Sequence, residues 1–339
     1  MSGVDVSVVV PLHNRGRLIP YTLESLCPEN HPDVRLDVVV VDDGSQDGGA
    51  EVASRVHPAA RILRGPHRGA AAARNAGLRA ARGEAVLFLD SDDLVEPGFF
   101  APRVKMLDEH REAAGAYGPF DFFVGDAAFH ERLVQPRHSP YPIESVLASR
   151  SHVVRLLGGW YIAGNAIVWR TSVVREHGGY DEALRVNQDV ELLFRVLTTT
   201  HGIVGCTAPR SLCRDHALGA RQGVIGNDEA KASDLLALRR RFASVLSHSA
   251  FDGSDTREAL ARYCFDRWEE LRRSMPAIAE GFYGLSRSLD PDLRLRGRWM
   301  LTLMCAVLGA RRAAVVAGGL RELRAAFMRR KARVAVTRS

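Results

Sequence analysis

Short apolar runs alternate with amphipathic stretches over the first two thirds of the chain. Val6–Val10 is β-branched and apolar apart from Ser7, and predicts a central parallel strand ended by Pro11. Leu18, Thr22, Leu23 and Leu26 then recur at helical spacing. Asp37–Val41 predicts a second strand, Glu51–Val56 a helix and Arg61–Leu63 a short third strand. Gly69–Arg82 is alanine-rich and helical, with Gly83 as its stop, and Ala85–Leu89 is the next long strand. Strand and helix alternating in this way predict an α/β fold: a Rossmann-like, mostly parallel open sheet with helices on both faces.

Farther along, the pattern predicts a helix over Pro97–His110, an irregular strand over Ala116–Gly125 and a proline-rich loop over Pro136–Ile143. A helix over Ser145–Leu157, a strand over Asn165–Arg170 and a short helix over Thr171–His177 follow, stopped by Gly178-Gly179. Val186–Thr199 reads as a helix and Gly202–Gly205 as a final strand. From about Asn227 the composition turns to Leu, Ala and Arg at helical spacing through Leu246, and again over Arg257–Met275, Trp299–Gly309 and Leu320–Arg333. The expected organisation is residues 1–125 and 126–226 as two halves of one domain, with 227–339 as a helical C-terminal extension.

Composition changes this picture little. The 339 residues are 46% hydrophobic and 25% charged, ordinary for a globular protein with a sizeable core. The net charge of +6 is concentrated in residues 311–339, where nine Lys/Arg face Glu322 alone, so the body is slightly acidic and gives no reason to invoke nucleic acid. Five scattered cysteines without a Cys-x-x-Cys pair, and no basic segment before the first apolar run, predict a reduced, cytoplasmic protein. The apolar runs Trp299–Leu308 and Ala313–Leu320 are each too short to span a bilayer. With the basic end they suit either packing on the main domain or a homodimer contact, or else peripheral contact with the inner face of a membrane.

The stretch that carries the chemistry is Phe88-Leu89-Asp90-Ser91-Asp92-Asp93. A buried strand ending in three carboxylates delivers them to the carboxyl edge of the sheet, where ligands bind. A hard divalent cation, Mg²⁺ or Mn²⁺, would relieve their repulsion and complete its shell with phosphate oxygens, which points to a nucleoside-diphosphate site. No Gly-x-Gly-x-x-Gly follows the first strand, so a dinucleotide oxidoreductase is not expected.

Around that stretch stand Pro11-Leu12-His13-Asn14, Asp42-Asp43-Gly44-Ser45, Ala73-Arg74-Asn75-Ala76-Gly77 and Gly178-Gly179-Tyr180-Asp181-Glu182, followed by Gln188-Asp189-Val190-Glu191. In order and spacing, over about residues 5–217, this set closely resembles the family 2 glycosyltransferases of the GT-A fold. The resemblance implies a metal-dependent, inverting transfer of a sugar from a nucleotide-diphosphate donor, a UDP-sugar first among them, to an unidentified acceptor. It implies donor contacts at Pro11, His13, Asp43, Arg74, Asp90 and Ser91, a metal held by Asp92 with His216, and Asp189 as general base. Asp93 is expected to cap the segment that follows it, and Arg214 to contact phosphate. Trp160 and Asn165 are candidate acceptor contacts, with core packing beside a turn as the other reading of Trp160. The family's usual Glu-Asp pair is Gln188-Asp189 here, which removes a like charge beside the base. A nucleotidyltransferase and a non-catalytic nucleotide- or carbohydrate-binding protein of the same fold are the alternatives.

Overall fold

A computed structural model describes residues 5–124, 133–135, 149–160, 162–199, 202–207, 209–215 and 228–293. In chain order the elements are β1 (Val6–Leu12), α1 (Ile19–Glu24), β2 (Leu36–Asp43), α2 (Gly49–Val56), β3 (Arg61–Gly65), α3 (Ala70–Ala80) and β4 (Ala85–Phe88). Next come β5 (Leu94–Val95), α4 (Phe100–Glu109), β6 (Gly115–Tyr117), β7 (Phe120–Val124), β8 (Leu133–Gln135) and α5 (Ser149–Leu157). The series ends with β9 (Ile167–Arg170), α6 (Thr171–Glu176), α7 (Gln188–Leu197), β10 (Ile203–Gly205), β11 (Ser211–Arg214), α8 (Glu229–Leu246), α9 (Ser254–Leu271) and α10 (Pro276–Leu289).

Seven strands form the main sheet in the order β10-β6-β9-β4-β1-β2-β3, and β5-β11-β7-β8 form a smaller one. In the main sheet β9 alone runs antiparallel to its neighbours, so the expected mostly parallel sheet is present. Val6, Val8, Val9 and Val10 are fully buried, as the unbroken apolar run requires of a central strand. Pro11 does not end β1, which continues to Leu12. The carbonyl of Val9 faces β4, where it accepts from the Leu89 N–H. Pro11 has the same parity, so its missing N–H also falls on the β4 side, where pairing has already stopped at Val9↔Phe88. The single strand expected over Ala116–Gly125 is two, β6 and β7, which belong to different sheets. The expected final strand at Gly202–Gly205 is followed by β11, which pairs parallel with β7.

Helix α3 lies against the strand it must approach most closely. A Cβ on Gly77 would sit 2.2 Å from Val9 Cγ1, so the helix carrying Arg74 and Asn75 packs on β1 at a distance only glycine allows.

The amino edge of the sheet is fixed by a buried polar network. Asp37 accepts from Ser7 Oγ (2.8 Å) and, through both oxygens, from Arg61 (2.8 and 2.8 Å). Ser7 Oγ accepts in turn from the N–H groups of Arg82 and Gly83, both at 2.9 Å. Burial pushes the Asp37 carboxyl up, but the hydrogen bonds from Arg61 and Ser7 outweigh it and hold it below the ordinary carboxylate range. Asp37→Asn is therefore expected to lower stability by about 2 kcal/mol, the scale of charge-assisted hydrogen bonds, read as a lower urea midpoint. Because the folded-state carboxyl is the stronger acid, this contribution is present above the unfolded value of about 4 and fades as pH falls below it. The gap between variant and wild type should close in acid; a gap that widens there would contradict the assignment.

The chain divides into two compact units, at Asp252 and Gly253. The compositional change near 227 falls earlier, and α8 belongs to the first unit. Arg241 on α8 bridges Asp181 (2.8 Å) and Glu191 (3.1 Å), Arg185 pairs with Asp234, and Phe194 stacks on Phe242 with centroids 4.0 Å apart. In the second unit α9 and α10 pack on each other, with Trp268 against Tyr283 and Ser286 Oγ donating to the Ala261 carbonyl. The helices expected at Trp299–Gly309 and Leu320–Arg333, and the basic end of the chain, lie outside the described residues. Among the described residues no helix is long and apolar enough to cross a membrane.

Candidate active site

The carboxyl ends of β1, β2 and β4 deliver three loops to one rim. The loop after β1 is laced to the loop after β2: Asn14 N–H donates to Ser45 Oγ (3.1 Å), Gln46 N–H to Asn14 Oδ1 (2.9 Å) and Gly16 N–H to Asp47 Oδ2 (2.7 Å). Asp42 organises the turn by accepting from the Ser45 N–H at 2.9 Å, the role a first aspartate of such a loop commonly takes.

Asp43 is the hub of this side of the rim. Its carboxylate, 6% exposed, accepts from the N–H groups of Arg68 (2.7 Å) and Gly69 (2.9 Å), just ahead of α3, and from His67 Nδ1 (2.8 Å). The His13 ring stacks on His67 with centroids 4.0 Å apart, and both Nδ1 atoms lie within hydrogen-bond reach of the Asp43 carbonyl, at 2.8 and 3.1 Å. A carbonyl only accepts, so each Nδ1 carries its proton, and His13 Nε2 is left to accept from Asn14 Nδ2 at 3.1 Å. His13, Asp43 and His67 also bring potential metal-ligating atoms within 4.8 Å of one another.

Beyond it lies the charged centre. Arg74 is 7% exposed and donates to Asp90 Oδ1 (2.5 Å) and to Gln188 Oε1 (3.0 Å), with its guanidinium 5.2 Å from the centroid of the Tyr180 ring. Burial works against its charge, but Asp90 and then Asp189 and Tyr180 hold its pKa above the ordinary arginine value. Gln188 Nε2 donates to the Leu184 carbonyl at 2.6 Å, which fixes the amide with its oxygen toward Arg74. Asp189, in the first turn of α7, accepts from the Tyr180 hydroxyl at 2.8 Å. Glu191 is buried in a pair with Arg195 (2.6 Å) and is occupied away from this centre.

The three carboxylates of the acidic stretch have separate fates. Asp90 is neutralised by Arg74. Asp93 does not cap a local segment: it accepts from Asn165 Nδ2 (2.7 Å) and from the Arg214 N–H (2.8 Å), both distant in sequence. Burial, then the charges of Asp92 and Asp90, push its carboxyl well above the ordinary range. Asp92 faces Arg15 at 3.7 Å, too long for a hydrogen bond. Ser91 is buried beside it.

Asn165 is 5% exposed; besides Asp93 it meets Cys213 Sγ (3.3 Å) and accepts from Ser211 Oγ (3.1 Å), so it braces the acidic loop rather than facing an open cleft. Trp160 is 5% exposed and stacks on His152 with rings 9° from parallel, which matches core packing beside a turn. Arg214 donates from Nε to the Asp92 carbonyl (3.0 Å) and sets its guanidinium over Phe123, so it binds the acidic loop itself. His216 lies outside the described residues. Sequence reasoning missed His67, Arg68, Arg15 and Tyr180; the signal for the first two was the Gly65-Pro66-His67-Arg68-Gly69 link, a short loop leaving the strand next to the Asp43 loop.

Residues 7–153 match the family described as glycosyl transferase family 2. The pre-mycofactocin glycosyltransferase of Mycobacterium tuberculosis is 30% identical over 214 residues, 57% of this chain and 39% of that protein. The succinoglycan biosynthesis protein ExoO of Rhizobium meliloti is 40% identical over 114 residues, 33% of this chain and 31% of its own. The chain thus spans well under half the length of these relatives. In fold it is similar to residues 1–349 of TarS from S. aureus, solved with UDP-GlcNAc, at a TM-score of 0.68 and 17% identity over 94% of this chain and 92% of that one. Residues 7–153 are thus similar to the family 2 glycosyltransferases, and the likeness to TarS shows that the chain has the GT-A fold.

Proposed function

We propose that the chain transfers a sugar from a uridine-diphosphate donor to an acceptor hydroxyl or amine, with inversion and with a divalent cation. The observation that carries this reading is the convergence of Asp43, Arg74, Asp90, Asp92 and Asp189 on one rim. In this reading Asp43 faces the nucleobase. Oδ2 already accepts from Gly69 N–H and His67 Nδ1, whereas Oδ1 accepts from Arg68 N–H alone. One remaining lone pair suits the single imide N–H of uracil better than the paired donors of guanine. His13 and His67 form the adjoining wall, with Pro11 at its base. TarS has been solved with UDP and with UDP-GlcNAc, which supports a uridine donor here.

Arg74, kept charged by its carboxylate neighbours, is placed to meet the diphosphate. The donor set also fits a hard cation. Asp92, a hard oxygen donor at the end of the β4 segment and 3.7 Å from Arg15, would supply the single carboxylate that Mg²⁺ or Mn²⁺ commonly takes alongside phosphate oxygens. When bound, the cation supplies Lewis-acid stabilisation of the leaving diphosphate. Asp189 accepts the proton of the attacking hydroxyl or amine as the new bond to the anomeric carbon forms. The bond from that carbon to the phosphate oxygen breaks on the opposite face, and its electron pair leaves with UDP.

Calorimetric titration tests the donor assignment. Heat is expected from UDP in the presence of Mn²⁺, with GDP weaker by about tenfold or more, on the principle that an unpaired donor in a fitted polar site is strongly rejected. Equal binding of GDP, or no binding of either, would contradict it. Release of pyrophosphate from a nucleoside triphosphate would favour a nucleotidyltransferase instead.

A further inference from the structure

Asp189 is seated against the Tyr180 hydroxyl and Gly164. The Tyr180 hydroxyl donates to its Oδ1 at 2.8 Å. On the other side Gly164 leaves room for the carboxylate: a Cβ there would lie 2.6 Å from Oδ1 and 3.2 Å from Oδ2. Tyr180 is itself over-determined. Its ring is 3% exposed and meets Phe88 edge to face with centroids 5.0 Å apart, while Arg74 covers its face. Its backbone is gripped on both polar groups by one side chain: Asn75 Oδ1 accepts from the Tyr180 N–H (2.8 Å), and Asn75 Nδ2 donates to the Tyr180 carbonyl (2.9 Å).

We propose that Tyr180 is a positioning residue for the transfer reaction, holding Asp189 Oδ1 so that Oδ2 is presented to the acceptor proton. Through Asn75 it also ties the base to α3, the helix that carries Arg74. This rests on Asp189 being the base. An unheld aspartate has two rotatable side-chain bonds, and a hydrogen bond to one oxygen together with a close wall removes that freedom before the acceptor arrives. Burial, then the neighbouring charge of Asp189, keeps the phenol protonated well above its ordinary range, so it remains a donor at any working pH. The charged and titratable groups facing Asp189 are Tyr180, Arg74 and, beyond Arg74, Asp90; its neighbour Gln188 is neutral. Loss of the hydroxyl removes a bond made to the ionised base.

The test uses the full chain, UDP-GlcNAc and Mn²⁺, with UDP release as the readout and water as the acceptor. Tyr180→Phe is expected to melt within a few degrees of wild type and to keep KM within about twofold. It should lower kcat by about 10- to 100-fold and move the acid limb of the kcat profile to higher pH. Gly164→Ala, whose new methyl would push on Oδ1, is expected to give the same kcat loss at unchanged KM. It serves as the deciding variant should Tyr180→Phe not fold. Wild-type kcat in either folded variant overturns the proposal, as does a loss that appears in KM and melting temperature alone. An inactive Asp189→Asn beside a fully active Tyr180→Phe would sink the positioning role and leave the base standing. A fully active Asp189→Asn would sink both.

Discussion

Asp189→Asn is expected to cut turnover about a thousandfold, within the range lost when a general base is removed, while the fold and donor binding survive. Asparagine matches the shape of aspartate, keeps an oxygen to accept from the Tyr180 hydroxyl and fits the space beside Gly164. What it cannot do is take a proton. The loss should therefore appear in kcat, with KM for the nucleotide sugar little changed, and the acid limb of the pH–rate profile should vanish because no group remains there to ionise. An unchanged profile at wild-type turnover would remove Asp189 from the chemistry. Glu191 would not inherit the role, since it is buried against Arg195 and Arg241.

The second large effect is expected at the acidic loop. Asp92→Asn should lower transfer by roughly a thousandfold, equivalent to about 4 kcal/mol of lost charge stabilisation on the leaving group. It should also abolish the Mn²⁺-dependent part of the heat of UDP binding. The substitution leaves in place the bonds from Asp93 to Asn165 and to the Arg214 N–H, and from the Asp92 carbonyl to Arg214 Nε, so the loop is expected to keep its shape. If Mn²⁺-dependent heat persists in the variant, Asp92 is not the ligand, and the cluster of His13, Asp43 and His67 becomes the site to test.

How much of this was legible follows from what each feature depends on. Strands β1, β2 and β4 are buried on both faces, so their apolar runs announce them. The division of Ala116–Gly125 between two sheets depends on a break at Gly118-Pro119, whose consequence only the pairing partners reveal. In the site, Asp43, Arg74, Asp92 and Asp189 are written as local motifs at two strand ends, inside a helix and at a helix start. The groups that hold them are not local. Asn165 reaches Asp93 across 72 positions, and Asn75 reaches Tyr180 across 105. A sequence names the residue that must be charged more readily than the distant one that keeps it still. Trp160 shows the reverse case, an aromatic beside glycines that the core absorbs.

The polar lock of Ser7, Asp37, Arg61 and the Arg82-Gly83 backbone lies at the opposite end of the strands from the chemistry. The two ends of the sheet therefore carry separate tasks. One can change its loop residues to accept a new sugar or a new recipient without touching what keeps the strands in register. Libraries aimed at nucleobase choice should vary His13 and His67 and leave the far edge alone.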